Sequence, residues 1–188
     1  MSSPLPPYDG LVLAGGRARR MAGADKPSLV LDGRRLLDVA LEALAGAQRR
    51  VVVASAAEVP PGVVLVSEDP PGGGPVAAIA AGLAEVTAPV CVVLAADLPF
   101  VRRTHVEELV ASVATAVDAE GRDQPLLAAY DTAALRAALP AVPEGASMRQ
   151  LLSGLALVRV TLDGDPAPWF DCDTQEQLEQ ARALRGGP

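Results

Sequence analysis

The chain has 188 residues, half of them hydrophobic and 21% charged, which supports one globular domain with a sizeable core and excludes a disordered chain. A net charge of -7 argues against a sequence-independent nucleic-acid binder, which needs a broad basic face. Met1-Ser-Ser-Pro4 lacks the basic start and apolar run of a signal peptide, and no apolar stretch approaches the ~18 residues of a membrane span. A soluble, cytoplasmic protein without membrane contact is expected. Aromatic residues make up only 3%, so the core must be built from Ala, Val and Leu. Cys91 and Cys172, far apart and without metal-ligand spacing, read as two unpaired thiols.

Strand and helix signals alternate along the chain. Gly10 to Ala14 is a short apolar run ending in glycines, as a buried parallel strand does. Leu37, Ala40, Leu41 and Leu44 follow helical spacing, with Gly46 near the end of that segment. Val51 to Ala54 and Val63 to Val66 read as two more strands, and the Ala-rich stretch Val76 to Val86 as a helix. Val90 to Ala95 is the strongest strand signal, six apolar residues closed by Ala96-Asp97. Then come a helix over Val106 to Val113, a strand over Leu126 to Tyr130, and a helix over Asp131 to Leu139 capped by Asp131 or Thr132. A short helix at Ser147 to Leu152, a strand at Leu155 to Leu162 and a closing helix at Thr174 to Leu184 complete the series. Thr174 and Gln177 have the spacing of a capping box. This alternation predicts a single-domain α/β fold, a Rossmann-like three-layer sandwich whose mostly parallel sheet is covered on both faces. The expected organisation is an N-terminal tail over 1–8, one domain over 9–184 and a C-terminal tail over 185–188.

The segment from Leu13 to Lys26 carries the most chemistry. A buried strand ends in Gly15-Gly16, and a loop follows with Arg17, Arg19, Arg20 and Lys26 against one acid, Asp25. Ligands of open α/β sheets bind beyond the carboxyl ends of the strands. Glycines let backbone N–H groups approach a phosphate or a base, and the cations neutralise a polyphosphate. Neither the G-x-x-x-x-G-K-[ST] loop nor the dinucleotide glycine fingerprint is present, and a solvated basic loop is the plain alternative. Asp97, at the end of the strongest strand, offers the hard oxygen that Mg²⁺ accepts beside triphosphate oxygens, or else caps a helix opening at Pro99 or Thr104. Asp173 precedes a helix and has the same two readings. His105, the only histidine, sits at a helix start and is expected on the surface; Cys91 reads as core. Arg149 reads as a solvated helix arginine or a cation for an acceptor.

The run Leu13-Ala14-Gly15-Gly16, followed by Arg20-Met21, Gly23 and Asp25-Lys26, resembles the signature loop of the molybdenum cofactor guanylyltransferases, within the wider nucleotidyltransferase superfamily whose fold is that of the nucleotide-diphospho-sugar transferases. Gly73 to Leu83 resembles the turn and helix of that family, Ala95 to Phe100 its metal-binding strand end, Gln124 to Tyr130 a later strand, and Asp171 to Leu178 its closing D-x-D-T segment. Val76 and Ala78 replace its usual Leu and Gly, Gln175 its common Pro, and Ala54-Ser55 lacks the asparagine that often follows that strand.

The resemblance covers roughly residues 9 to 184. It implies transfer of GMP from GTP to the phosphate of molybdopterin, with Mg²⁺ as cofactor and pyrophosphate leaving. It implies nucleotide contacts at Leu13, Ala14, Gly15, Gly16, Lys26, Asp69, Gly74, Pro75 and Asp97. Lys26, Arg20 and Asp97 would serve catalysis, Asp97 and Asp173 the metal, and Asp171 and Asp173 the acceptor. GTP, molybdopterin or another small phosphorylated acceptor, and other molybdenum cofactor proteins are the implied partners. The rival readings are CTP or a different acceptor on the same fold, and a nucleotide-binding regulatory module without turnover. Asp97 together with Lys26 speaks against the module.

Overall fold

The first apolar run becomes β1 (Tyr8–Leu13), buried along its whole length at the middle of the molecule. The computed structural model describes residues 4–15 and 29–185. After β1 come a hairpin, β2 (Val30–Leu31) and β3 (Arg34–Arg35), then α1 (Leu36–Ala43), β4 (Arg50–Val53), β5 (Val63–Val66), α2 (Pro75–Leu83) and β6 (Val90–Ala95). The second half holds α3 (Arg103–Ser112), β7 (Ala114–Val117), β8 (Asp123–Asp131), α4 (Thr132–Ala138), α5 (Met148–Leu152), β9 (Val158–Val160) and α6 (Gln175–Arg185).

One sheet runs in the order β5-β4-β1-β6-β8-β7-β9, with β2-β3 a separate ribbon. β5, β4, β1 and β6 pair in parallel, β8 runs antiparallel to both β6 and β7, and β9 joins β7 in parallel. The strand alternation divides the core into two layers. Val12, Val52, Val92 and Leu94 face α1 and α3, packing with Leu37, Leu41, Leu109 and Val110. Leu11, Leu13, Val51, Val53, Cys91 and Val93 face the other way, against Val76, Ile79 and Leu83 of α2, Leu135 of α4 and Leu151 of α5. This is the three-layer α/β sandwich that the alternation of elements implies. Among the described residues no helix is long and apolar enough to cross a membrane.

The amino-terminal edge of the sheet is tied together by a fully buried acid. Asp9 accepts hydrogen bonds from the Arg49 N–H (3.0 Å), the Thr87 N–H (2.7 Å) and hydroxyl (3.3 Å), and the Ala88 N–H (2.9 Å). The turns before β4 and β6 are thereby fixed to β1, and the carboxylate's desolvation is met by charge-assisted bonds.

Several features depart from the sequence expectation, the β2-β3 hairpin among them. β7 forms where no strand is expected: Val113 turns left-handed (φ 47°) after α3 and the chain re-enters the sheet at once. His105 does begin a helix, but it is buried, only 5% exposed. Its Nδ1 accepts from the Arg102 N–H (3.1 Å), so Nε2 carries the proton and donates to the Asp163 carbonyl (2.9 Å). Burial pushes its pKa below the ordinary value, with Arg102 adding to the effect while the Asp163 bond and Glu108 oppose it. The capping expectations hold for the later helices. Asp131 accepts from the Ala134 N–H (2.7 Å), and Thr174 and Gln177 form their reciprocal box; Ser147, for which no cap was expected, also accepts from the Gln150 N–H (3.2 Å).

Candidate active site

The carboxyl ends of β1 and β6 meet at the crevice. The Ala96 N–H donates to the Leu13 carbonyl (3.1 Å), so the pairing of these strands continues up to Asp97. Asp97 is only 7% exposed, and α3 begins at Arg103 with Arg102 as its cap, so Asp97 caps no helix there. It lines the crevice instead.

A cleft of about 750 Å³ opens beside it, lined by Leu13, Gly15, the Pro70–Pro75 turn, Ala78, Ala95, Asp97, Leu126 and the Glu144–Ala146 loop. Pro75 opens α2, where a missing N–H costs nothing, and Gly74 precedes it at φ +94°, a conformation that a side chain would strain. The peptide of Gly73 is held from both sides: its N–H donates to Glu68 (2.8 Å) and its carbonyl accepts from the Gly145 N–H (2.8 Å).

A smaller hollow of about 270 Å³ adjoins the cleft and shares Ala95, Asp97 and Leu126 with it. Gln124, Met148, Trp169, Asp171 and Asp173 also line it. The register of one extended segment explains the two acids. The Cys172 N–H donates to the Asp97 carbonyl (3.1 Å), and its side chain enters a small core with Leu31, Phe100 and Leu178. Asp171 and Asp173, on either side of it, line the hollow. Gln177 holds them there, donating to Asp171 (3.1 Å) and accepting from the Asp173 N–H (2.8 Å). Burial pushes the Cys172 thiol up to about 12, and the charges of Asp97, Asp171 and Asp173 push the same way.

Of the residues expected at the site, Leu13, Gly15, Gly74, Pro75 and Asp97 line the cleft, and Asp97, Asp171 and Asp173 the hollow. Ala14 is buried in the adjacent core, its N–H bonded to the Val53 carbonyl (2.9 Å). Gly16, Arg20 and Lys26 lie outside the described residues. Asp69 is exposed and lines a separate hollow with Ser67, Glu68 and Glu144; of the two neighbouring acids it is Glu68 that is buried. Arg149 is exposed and lines another depression with Asp123 and Arg159. Trp169 and Gln124 were not expected at the site. The signal that points to Trp169 is its uniqueness in the chain, two residues before Asp171.

Among the described residues no group of three or more His, Cys, Asp or Glu could hold a metal ion by itself. Mg²⁺ commonly binds through one or two carboxylates plus substrate phosphates. A nearly buried carboxylate with a second acid across the same hollow suits an ion that arrives with a triphosphate.

Solved structures of this shape include nucleotidyltransferases. Molybdopterin-guanine dinucleotide biosynthesis protein A from Archaeoglobus fulgidus matches with a TM-score of 0.74 at 25% identity, over 94% of this chain and 98% of that one. The fold is shared by 2-C-methyl-D-erythritol 4-phosphate cytidylyltransferase from Thermus thermophilus, with a TM-score of 0.67 at 22% identity over 93% and 97% of the two chains. The family model described as the MobA-like NTP transferase domain matches residues 10–160. A molybdenum cofactor guanylyltransferase of Burkholderia ambifaria (strain MC40-6) is 32% identical over 148 residues, 74% of this chain and 70% of that relative. The chain belongs to the MobA-like NTP transferase family and is a nucleotidyltransferase, and a divalent metal is common in that family.

Proposed function

We propose that the protein transfers GMP from GTP to the phosphate of molybdopterin, releasing pyrophosphate. The observation that carries this reading is the place of Asp97 on the wall shared by two adjoining hollows, a larger one bounded by glycines and a smaller one bounded by Trp169 and two acids. The larger hollow suits the nucleotide, with Gly15 and Gly74 presenting bare backbone and Pro75 an apolar ring to the base and ribose. The smaller suits a flat, polar acceptor, with Trp169 offering a ring face and Asp171, Asp173 and Gln124 offering hydrogen-bonding groups.

The reaction asks little covalent help of the protein. The acceptor phosphate is already ionised; one of its oxygens bonds to the α-phosphorus as the bond to the β-phosphate oxygen breaks. Rate then comes from holding the two phosphates in line and balancing charge. Asp97, with Asp173 as second ligand, would hold Mg²⁺, which when bound neutralises charge on the nucleotide phosphates. Lys26 and Arg20 would balance the remaining triphosphate charge, and Asp69 and the residues at Leu13, Ala14 and Gly16 complete the proposed nucleotide contacts. The names of the curated relatives support guanylyl transfer, and so does the L-A-G-G form of residues 13–16. Mixing the protein with GTP, Mg²⁺ and molybdopterin should release pyrophosphate in step with acceptor consumed. No release with any NTP in the presence of acceptor would overturn the reading.

A further inference from the structure

We infer that Glu68 is a positioning residue that sets the width of the base slot by coupling Gly15, just beyond β1, to the glycine turn before α2. The inference rests on the reading of the larger cleft as the nucleotide site. Glu68 is only 9% exposed, although a carboxylate in the loop after β5 could easily have faced water. One of its oxygens, Oε2, accepts from the Gly73 N–H at 2.8 Å. The other, Oε1, lies 3.3 Å from the point where a Cβ on Gly15 would stand. Gly15 and Gly73 both line the cleft, and Glu68 does not. The carboxylate therefore stands behind two walls of the slot and acts through them.

The turn has few other anchors among the described residues. Gly73 has no side chain to hold it, and a Cβ there would stand 2.7 Å from Ala77 Cβ. Gly72 and Gly74 flank it at φ +80° and +94°, where the backbone is free to take other conformations. Gly73 is therefore placed by its two peptide hydrogen bonds, one from Gly145 and one to Glu68. The bond to Glu68 is charge-assisted and part-buried, so its loss releases the turn. The same contact adds a second reason for glycine at residue 15. A methyl at that position must push Oε1 aside by a few tenths of an ångström, and Oε1 belongs to the group that holds Gly73. A change at Gly15 is thus transmitted to the opposite wall.

The test is a cycle of Gly15→Ala and Glu68→Ala, with Glu68→Gln and Glu68→Asp beside it. Glu68→Ala should raise KM for GTP by about ten-fold and leave kcat within about three-fold, while lowering the preference for GTP over CTP. Glu68→Gln keeps an acceptor for the Gly73 N–H and should stay within about three-fold of the parent in KM. Glu68→Asp, one methylene shorter, cannot serve both walls at once and should follow Glu68→Ala; it is read in its place if the alanine variant does not fold. Gly15→Ala should weaken GTP binding several-fold in the parent and much less in the Glu68→Ala background, because the crowded oxygen is gone. Equal factors in both backgrounds, or a folded Glu68→Ala or Glu68→Asp variant with parental KM and base preference, overturn the inference. A parent that prefers CTP overturns the guanylyl assignment alone, and the cycle is then read with CTP. A parent that binds no NTP by calorimetry overturns both.

Discussion

Gly82→Ala perturbs the support of the larger cleft without touching the cleft itself. Gly82 lies in the last turn of α2, over β1 and β4. A methyl there would overlap Leu11 Cδ1 and stand 2.9 Å from Val53 Cγ2 and 3.1 Å from Leu11 Cδ2. Leu11 and Val53 are fully buried, and the branched valine has little rotamer freedom, so neither can swing aside. Helix propensity favours alanine over glycine by about 0.8–1.0 kcal/mol in a helix interior, and by less in a last turn. Overpacking a close-packed contact costs about 1–3 kcal/mol. Packing outweighs propensity, and a net loss of about 1–2 kcal/mol is expected as α2 lifts from the sheet. In a chain of this size that lowers Tm by roughly 2–8 °C. Because Pro75 and Ala78 of the same helix line the cleft, GTP affinity should fall with stability. Urea melts of parent and variant, paired with calorimetric titration of GTP, read both effects. A variant with an unfolding midpoint at or above the parent's would refute the reasoning, since it would show that α2 does not rest on Leu11 and Val53 as closely as the structure has it.

Asp97→Asn keeps size and shape but removes the charge a cation needs; turnover should fall by about two orders of magnitude or more with the fold intact, and activity within a few-fold of the parent would show the charge dispensable. Stability should also depend on His105. Burial holds its folded pKa below the ordinary 6.5, so between the two values the unfolded chain binds the extra proton and stability rises with pH. The contribution is complete above about pH 6.5 and is lost as pH falls through the folded pKa, so His105→Gln should flatten the acid-side slope of the urea midpoint. An unchanged slope would contradict it.

The central strands were legible because a strand buried on both faces leaves an unbroken apolar run, as in Val90 to Ala95 and Val51 to Val53. Strand direction was not. β8 reads as another apolar segment, and only its pairing with β6 shows that it runs antiparallel. β7 was hidden because Ala114–Val117 follows α3 after a single left-handed residue, with no turn residues to mark the break. At the site, the strand end left Asp97 open between a helix cap and a metal ligand, and the glycine turn was marked by the family resemblance; the structure has both lining the cleft. Glu68 was not: it lies in the loop beyond β5, and sequence alone does not say which of Glu68 and Asp69 is buried. The burial of His105 depends on Asp163, 58 positions away, and no local pattern records that contact.

The most direct measurement offers equal concentrations of GTP and CTP to the parent protein with Mg²⁺ and molybdopterin, and identifies the dinucleotide product by mass. The account expects the guanine dinucleotide to dominate, with one pyrophosphate released per molecule formed. A cytosine dinucleotide in the majority, or pyrophosphate released without any dinucleotide, would contradict it.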